Sequence, residues 1–333
     1  MFGYIVRRLI SAALVLFLTS LFVFGLLYKG PRDPARAICD SNGRCTPVKL
    51  ENLTKAMGLD KPVLTAYGEW AKGLVAGRTI NMGGSANYEC SAPCLGVSWK
   101  TRTEVTKELV QKYPATLSLA LGGALLYLTL GVFVGVLAAR WRGTFADRAL
   151  VTSTLIVSSI PYYLVALLAW IYFTQKFPIL PQSTYHPITD SPAKWFAGLL
   201  LPWLVLGLTN ATQYSRFSRG QMVETLGEDF IRTATAKGQR SNVVIFKHAL
   251  RAAIIPVVTI FGLDFGTLLG GTVFTEFIFD LDGMGRWGLQ AVFTPTDIPV
   301  VTATVLVAAF FIIMSNLVVD IIYSLLDPRV RLG

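Results

Sequence analysis

The sequence predicts an all-α polytopic membrane protein with six transmembrane helices, and three observations carry that prediction. Of its residues 53% are hydrophobic and only 15% are charged, far from the composition of a soluble domain. Six runs are free or nearly free of charge: Leu9 to Leu27, Ala115 to Ala139, Ala149 to Thr174, Trp195 to Tyr214, Ala252 to Thr275 and Val300 to Leu326. Each reaches the roughly 20 residues a helix needs to cross a bilayer. None alternates as a barrel strand would, and hydrocarbon offers no partner to backbone N–H and C=O groups, so helices are the spanning form.

The first run follows Arg7 and Arg8 as a signal peptide would. It is long for such a segment and lacks a small-x-small cleavage site after Leu27, so residues 1–28 are expected to stay as a membrane anchor. Residues 29–113 form a polar segment too long for a simple connection and are expected to be an extracytoplasmic loop domain. Within it, Arg102 to Lys112 reads as a short amphipathic helix before Pro114 opens the second span. All four cysteines lie there, as Cys39 with Cys45 and Cys90 with Cys94. Local disulfides fit an oxidising compartment; a four-cysteine zinc site and a crossed connectivity are the alternatives.

Residues 114–333 then form a core of five spans. Gly131 and Gly135 give the second span a small-xxx-small face suited to close helix packing. Pro161 is expected to kink the third span and leave backbone groups facing a water-filled cavity. Tyr162 and Tyr163 are candidates to line that path; ordinary interfacial or packed aromatics are the alternative. Asp264 stands inside the fifth run, where an unpaired charge is costly, so it should face protein or water and is a candidate for a cationic group on the path; the alternative is a hydrogen-bonded carboxyl at a helix interface. Asp320 is read as structural. Arg140, Arg142, Arg148, Arg329 and Arg331 join Arg7 and Arg8 on one side of the membrane, which predicts cytoplasmic termini.

Between the fourth and fifth runs lies a polar interruption, residues 215–251. Met222, Leu226, Phe230 and Ala234 recur every four residues, predicting one apolar stripe on a helix that Gly238 ends. Ser241 is the expected N-cap of a second helix carrying Val243, Val244, Phe246, Ala249 and Leu250. A hairpin lying on anionic lipid is the plain alternative.

Thr233 to Gly238, reading TATAKG, and His248 to Arg251, reading HALR and followed by Ile255-Pro256, resemble the cytoplasmic coupling loop of ABC importer permeases of the oligopeptide/dipeptide branch. Tyr28 to Ala35 (YKGPRDPA), Gly58 to Pro62 (GLDKP), Glu276 to Phe279, Gly283 to Arg286 and Asn316 to Arg329 resemble segments of the same family. The resemblance implies the type I ABC importer permease fold in a bacterial inner membrane. It implies a second, homologous permease beside this chain, two ATPase subunits or domains that bind ATP and Mg, and an extracytoplasmic substrate-binding protein delivering peptide. It assigns coupling to the ATPase to Glu228, Ala234, Lys237, Gly238, His248, Leu250 and Arg251, with Ala234 and Gly238 supplying the close approach. Glu276, Gly283 and Gly285 become candidates for an outer gate, with a plain surface loop as the alternative. A permease of the same branch for nickel or another small solute, and an ion-coupled secondary transporter, are the rival readings.

The chain lacks a GxxxxGK[ST] phosphate loop, HExxH and GxSxG, and has only His186 and His248, so ATP binding, metal chemistry and hydrolysis are not expected in it. No cofactor or metal is assigned to it. The net charge of +10 is scattered rather than gathered on one face, which argues against nucleic acid.

Overall fold

A computed structural model describes residues 2–29, 33–41, 43–82, 87–293 and 295–326. Gly30, Pro31 and Arg32, and Arg329 and Arg331 at the C-terminal end, lie outside them. α1 (Phe2–Lys29) is followed by α2 (Pro34–Ser41), α3 (Pro47–Ala56) and α4 (Val63–Ala76), then by strands β1 (Arg78–Asn81) and β2 (Asn87–Cys90). α5 (Val105–Arg140) leads to α6 (Phe145–Ser159), to α7 (Tyr162–Trp170) with a π-helical continuation Ile171–Lys176, and to α8 (Pro192–Thr225). Beyond α9 (Asp229–Ala236), helix α10 (Ser241–Val243), the π-helical turn Val244–Ala249 and α11 (Leu250–Leu269) run as one rod. α12 (Val273–Ile278), α13 (Met284–Val292) and α14 (Ile298–Leu326) complete the chain. The antiparallel β1–β2 hairpin, pairing Arg78 with Cys90 and Asn81 with Asn87, is an addition to the all-α class that helical periodicity did not reveal.

Among the described residues five of these elements are long and apolar enough to cross a membrane, and α6 and α7, bent by 88°, make a sixth if the pair is taken as one span. The expected kink at Pro161 is therefore a near right angle. Pro161 has no amide to continue the ladder, and it drives Ile160 to φ −87°, ψ 127°, the extended backbone a residue before proline prefers. A second expectation needs correction: Arg102 to Lys112 is not separate from the second span, because α5 runs unbroken through Pro114. Packing overrides the proline there, since Val105, fully buried, is held against Trp287, Ala291, Val300 and Val301.

The chain folds as two compact units. The first gathers Met1–Thr116 with Leu269–Val273 and Asp282–Leu317, so α1 and the segment before the last span belong with the loop domain. Its core begins where α4 lies against α1. Phe24 stacks on Tyr28 at 4.0 Å and meets Tyr67 and Trp70 edge-on or tilted, while Ser20 and Tyr67 share a hydrogen bond of 2.7 Å. The cysteine alternatives resolve to two local disulfides, Cys39–Cys45 and Cys90–Cys94, which leaves no thiolates for zinc. Asp297 pins the loop after the hairpin: it accepts from the Ser98 hydroxyl at 2.5 Å and from the Trp99 and Lys100 amides, both at 3.3 Å.

The second unit comprises Leu117–Leu268, Phe274–Leu281 and Val318–Gly333. In lipid no hydrophobic force drives helices together, so close packing must do so. α5 meets α8 through glycine. A Cβ on Gly131 would lie 2.4 Å from Tyr214 Cβ, and one on Gly135 would lie 2.6 Å from the Ser215 carbonyl oxygen, so the small-xxx-small face packs as expected. Asp147, buried in the first turn of α6, accepts both a Gly143 amide and a two-pronged bond from Arg219 of α8, each prong 2.7 Å.

Candidate functional site

The polar interruption folds onto the ends of α5 and α8 within the second unit. Met222 belongs to α8, Leu226 caps that helix, and a break at Gly227 and Glu228 separates it from α9, so the expected single stripe is divided between two helices. In α9 the buried residues are Ile231 and Ala234, while Phe230 is 48% exposed. A helix restarted at Asp229 rotates the apolar face, which places Ile231 rather than Phe230 inward. Val136, Ala139, Met222, Ile231, Ala234, Val244, Ile245, Ala249 and Ala253 then form one continuous apolar cluster.

Gly238 ends α9 at φ +74°, a left-handed conformation that an L side chain adopts only with strain, and its amide donates to Thr235 O at 2.9 Å. Arg240, not Ser241, takes the N-cap position of the following rod. The π-helical turn Val244–Ala249 alters the side-chain spacing, so Ile245 turns inward with Val244 and Ala249 while Val243 and Phe246 face out. Of the residues assigned to coupling, Glu228, Lys237, Gly238 and Arg251 are exposed and His248 and Leu250 half-buried. Ala234 lies inside the loop's own core, and Gly238 is open, with nothing within 4 Å of a Cβ placed on it.

On the spans, Asp264 of α11 is half-buried and accepts from the Tyr214 hydroxyl of α8 at 2.7 Å. The Tyr214 ring lies 4.8 Å from that of Tyr127 on α5, so three helices meet at this carboxylate. Tyr214 was missed because a tyrosine at the end of an apolar run reads as an interfacial anchor, and Tyr127 because a single tyrosine within a run carries no signal of its partners. Tyr162, in the first turn of α7, shares a 2.6 Å hydrogen bond with Thr275, whereas Tyr163 is 58% exposed. The two tyrosines therefore sit in different surroundings. Glu276 is fully buried in the second unit; Gly283, at the N-cap of α13, and Gly285 belong to the first. Among the described residues, no group of three or more His, Cys, Asp or Glu side chains could hold a metal ion.

Residues 131–332 match the family described as binding-protein-dependent transport system inner membrane component, and residues 1–120 match its N-terminal membrane component. The chain belongs to this family. Among its relatives, a probable peptide ABC transporter permease of Sinorhizobium fredii is 34% identical over 98% of this chain and 99% of its own. The dipeptide transport system permease of Escherichia coli K12 is 33% identical, and the glutathione transport system permease of E. coli O6:H1 32%, each over 99% of both chains. The permease also shares the fold of the inward-facing methionine transporter MetNI, with 18% identity and a TM-score of 0.54 over 67% of this chain and 97% of that one. It is thus a multi-pass inner-membrane translocation subunit of a bacterial ABC importer, not an enzyme, and ATP hydrolysis belongs to separate subunits. The family carries no cofactor of its own.

Proposed function

We propose that this permease, paired with a second homologous permease, forms the path for di- or oligopeptides across the membrane. Support for the substrate comes from full-length relatives named for peptides, dipeptides and glutathione. In this reading an extracytoplasmic binding protein delivers the peptide and residues 29–113 lie on that side. Both termini and residues 215–251 lie in the cytoplasm, where two ATPases carrying ATP and Mg grip the loop.

The observation that carries the mechanism is the continuity of the rod Ser241–Leu269. A pull on the exposed turn at Lys237 to Arg240 acts on a cluster that already includes the ends of α5 and α8 and passes into α11 along the same helix. At ~1.5 Å per residue, Asp264 lies about 20 Å along that lever from Leu250. Displacement of α11 moves the carboxylate relative to a cationic peptide amino terminus, while Tyr214 fixes its direction. Tyr162 and Tyr163 line the same path at the bend of the third span. Glu276, Gly283 and Gly285 contribute to its outer closure.

Gly238→Asp is the test. The left-handed backbone costs a non-glycine residue about 1 kcal/mol, too little to unfold the chain, but the carboxylate projects where the ATPase must approach. The variant should insert normally and lose uptake in the reconstituted complex. Peptide-stimulated ATP hydrolysis at the wild-type rate would refute the coupling role. Uptake by this chain in vesicles without ATPase would favour ion coupling, and nickel or another small solute bound to the purified binding protein would replace peptide as the substrate.

A further inference from the structure

The first unit contains a cavity of about 470 Å³ that the transport reading does not use. Four cations, Lys55, Lys61, Lys72 and Arg78, line it against one carboxylate, Glu69. That carboxylate is already occupied: both its oxygens accept from Lys61 Nζ at 2.7 Å. Lys55 is paired at the surface with Glu51. Lys72 stands exposed on α4, and Arg78 opens β1.

Arg78 is the group around which this wall is built. Gly73 makes room for it, since a Cβ there would lie 2.6 Å from Arg78 Cδ; Gly96 lies at ordinary contact range, 3.8 Å from a Cβ on it to Arg78 Nη2. Gly77 turns the chain between α4 and β1 at φ +74°, delivering Arg78 to this position. Its Nε is buried with no hydrogen-bond partner among the described residues. Burial pushes the guanidinium below its usual pKa range, and Tyr28 and Glu69 only partly offset that. The guanidinium is half-buried with its Nε unsatisfied, so an anion seated there would complete it, and its planar fork matches phosphate oxygens.

The level of the cavity narrows the source of such an anion. Tyr28, on its wall, ends the candidate span Val6–Tyr28, and Pro299, on the same wall, lies in the first turn of the candidate span Ile298–Ile321. Two apolar spans therefore terminate at the cavity, where the headgroups of a bilayer lie. A basic pocket at that depth meets the phosphates of anionic lipid.

We propose that this cavity is a phosphate site, holding the phosphodiester of an anionic phospholipid headgroup on Arg78, with Lys72 and Lys55 closing around it. The chemistry is non-covalent and concerns the permease's attachment to its leaflet rather than its cargo. It does not depend on which solute is transported.

The test uses the full-length chain in detergent, titrated with phosphatidylglycerol, phosphatidylcholine or inorganic phosphate, with bound lipid counted by native mass spectrometry and thermal midpoints recorded. Phosphatidylglycerol should bind about tenfold more tightly than phosphatidylcholine, and Arg78→Gln should erase that difference. Arg78→Lys, keeping charge without the fork, should retain part of it. Competition by millimolar phosphate against phosphatidylglycerol identifies the phosphodiester as the bound group. Arg78-dependent stabilisation by phosphate alone, with the two lipids equal, keeps the site but makes a free oxyanion its ligand. Equal binding of both lipids with no phosphate effect, or a full preference surviving in Arg78→Gln, overturns the proposal. Should Arg78→Gln fail to fold, the double variant Lys55→Gln/Lys72→Gln, altered only at exposed positions, must lose most of the preference; full retention there overturns it equally.

Discussion

Replacing Gly135 by alanine forces a methyl group into a gap that α8 already fills. The added Cβ would lie 2.6 Å from the Ser215 carbonyl oxygen, 2.7 Å from Ser218 Cβ and 2.9 Å from the Arg219 amide nitrogen. Two of those three atoms are backbone, so no rotamer change relieves the clash. Ordinary contact requires ~3.5 Å or more, and α5 and α8 must therefore separate by roughly 1 Å. Overpacking of this kind costs about 1–3 kcal/mol, and the separation also strains the two-pronged Arg219–Asp147 bond. Alanine's better helix propensity returns about 1 kcal/mol, which leaves a net loss of ~0–2 kcal/mol, or up to about 30-fold in the folding equilibrium. Gly220 is the internal control: it lies on the exposed side of α8 with nothing within 4 Å of its Cβ, so Gly220→Ala should instead stabilise by up to ~1 kcal/mol. Reversible unfolding of the full-length chain in mixed detergent micelles, followed by circular dichroism, measures both. Equal stabilities for the two variants would show that close approach of α5 and α8 at Gly135 is not what holds the second unit together.

Asp264→Asn keeps an oxygen acceptor for Tyr214, so stability should change by less than about 1 kcal/mol while uptake of peptides with a free amino terminus falls about tenfold; uptake equal to wild type for every cationic substrate would remove Asp264 from the path. Cys39 and Cys45 are 6 residues apart and Cys90 and Cys94 4 apart, and opening either link should lower local stability by ~2 kcal/mol. Limited proteolysis of Cys39→Ser or Cys90→Ser chains should accordingly cut first near the opened loop, and cleavage starting in the second unit would contradict this. Burial raises the Asp297 carboxyl above its ordinary range, an effect that bonds from Ser98, Trp99 and Lys100 and the Lys100 charge offset only in part. A raised folded pKa means that the contribution is fully present below the unfolded value and lost as pH rises through the folded one. The stability of wild type relative to Asp297→Asn should therefore increase on acidification from neutrality into the carboxylate range, and a fall over that interval would refute the assignment.

Hydropathy located the candidate spans, because lipid imposes one demand on every one of them: a long apolar helix whose backbone satisfies itself. The fifth run overshot its helix, which ends at Leu269 rather than Thr275. The same local logic placed the bend at Pro161, the stop at Gly238 and the glycine face at Gly131 and Gly135, since each depends on a residue's own backbone or bulk. Periodicity failed where neighbours decide. Phe230 and Ile231 are equally apolar, and only the restart of the helix at Asp229, with α5 and α8 beside it, turns Ile231 inward and leaves Phe230 exposed. Pro114 looked like a boundary, yet the burial of Val105 among α13 and α14 residues carries the helix through it. The choice between disulfide and zinc, the Tyr214–Asp264 bond, the Arg219–Asp147 clamp and the cavity around Arg78 each join residues distant in the chain or depend on which atoms meet, and such meetings are settled by packing rather than by order along the sequence.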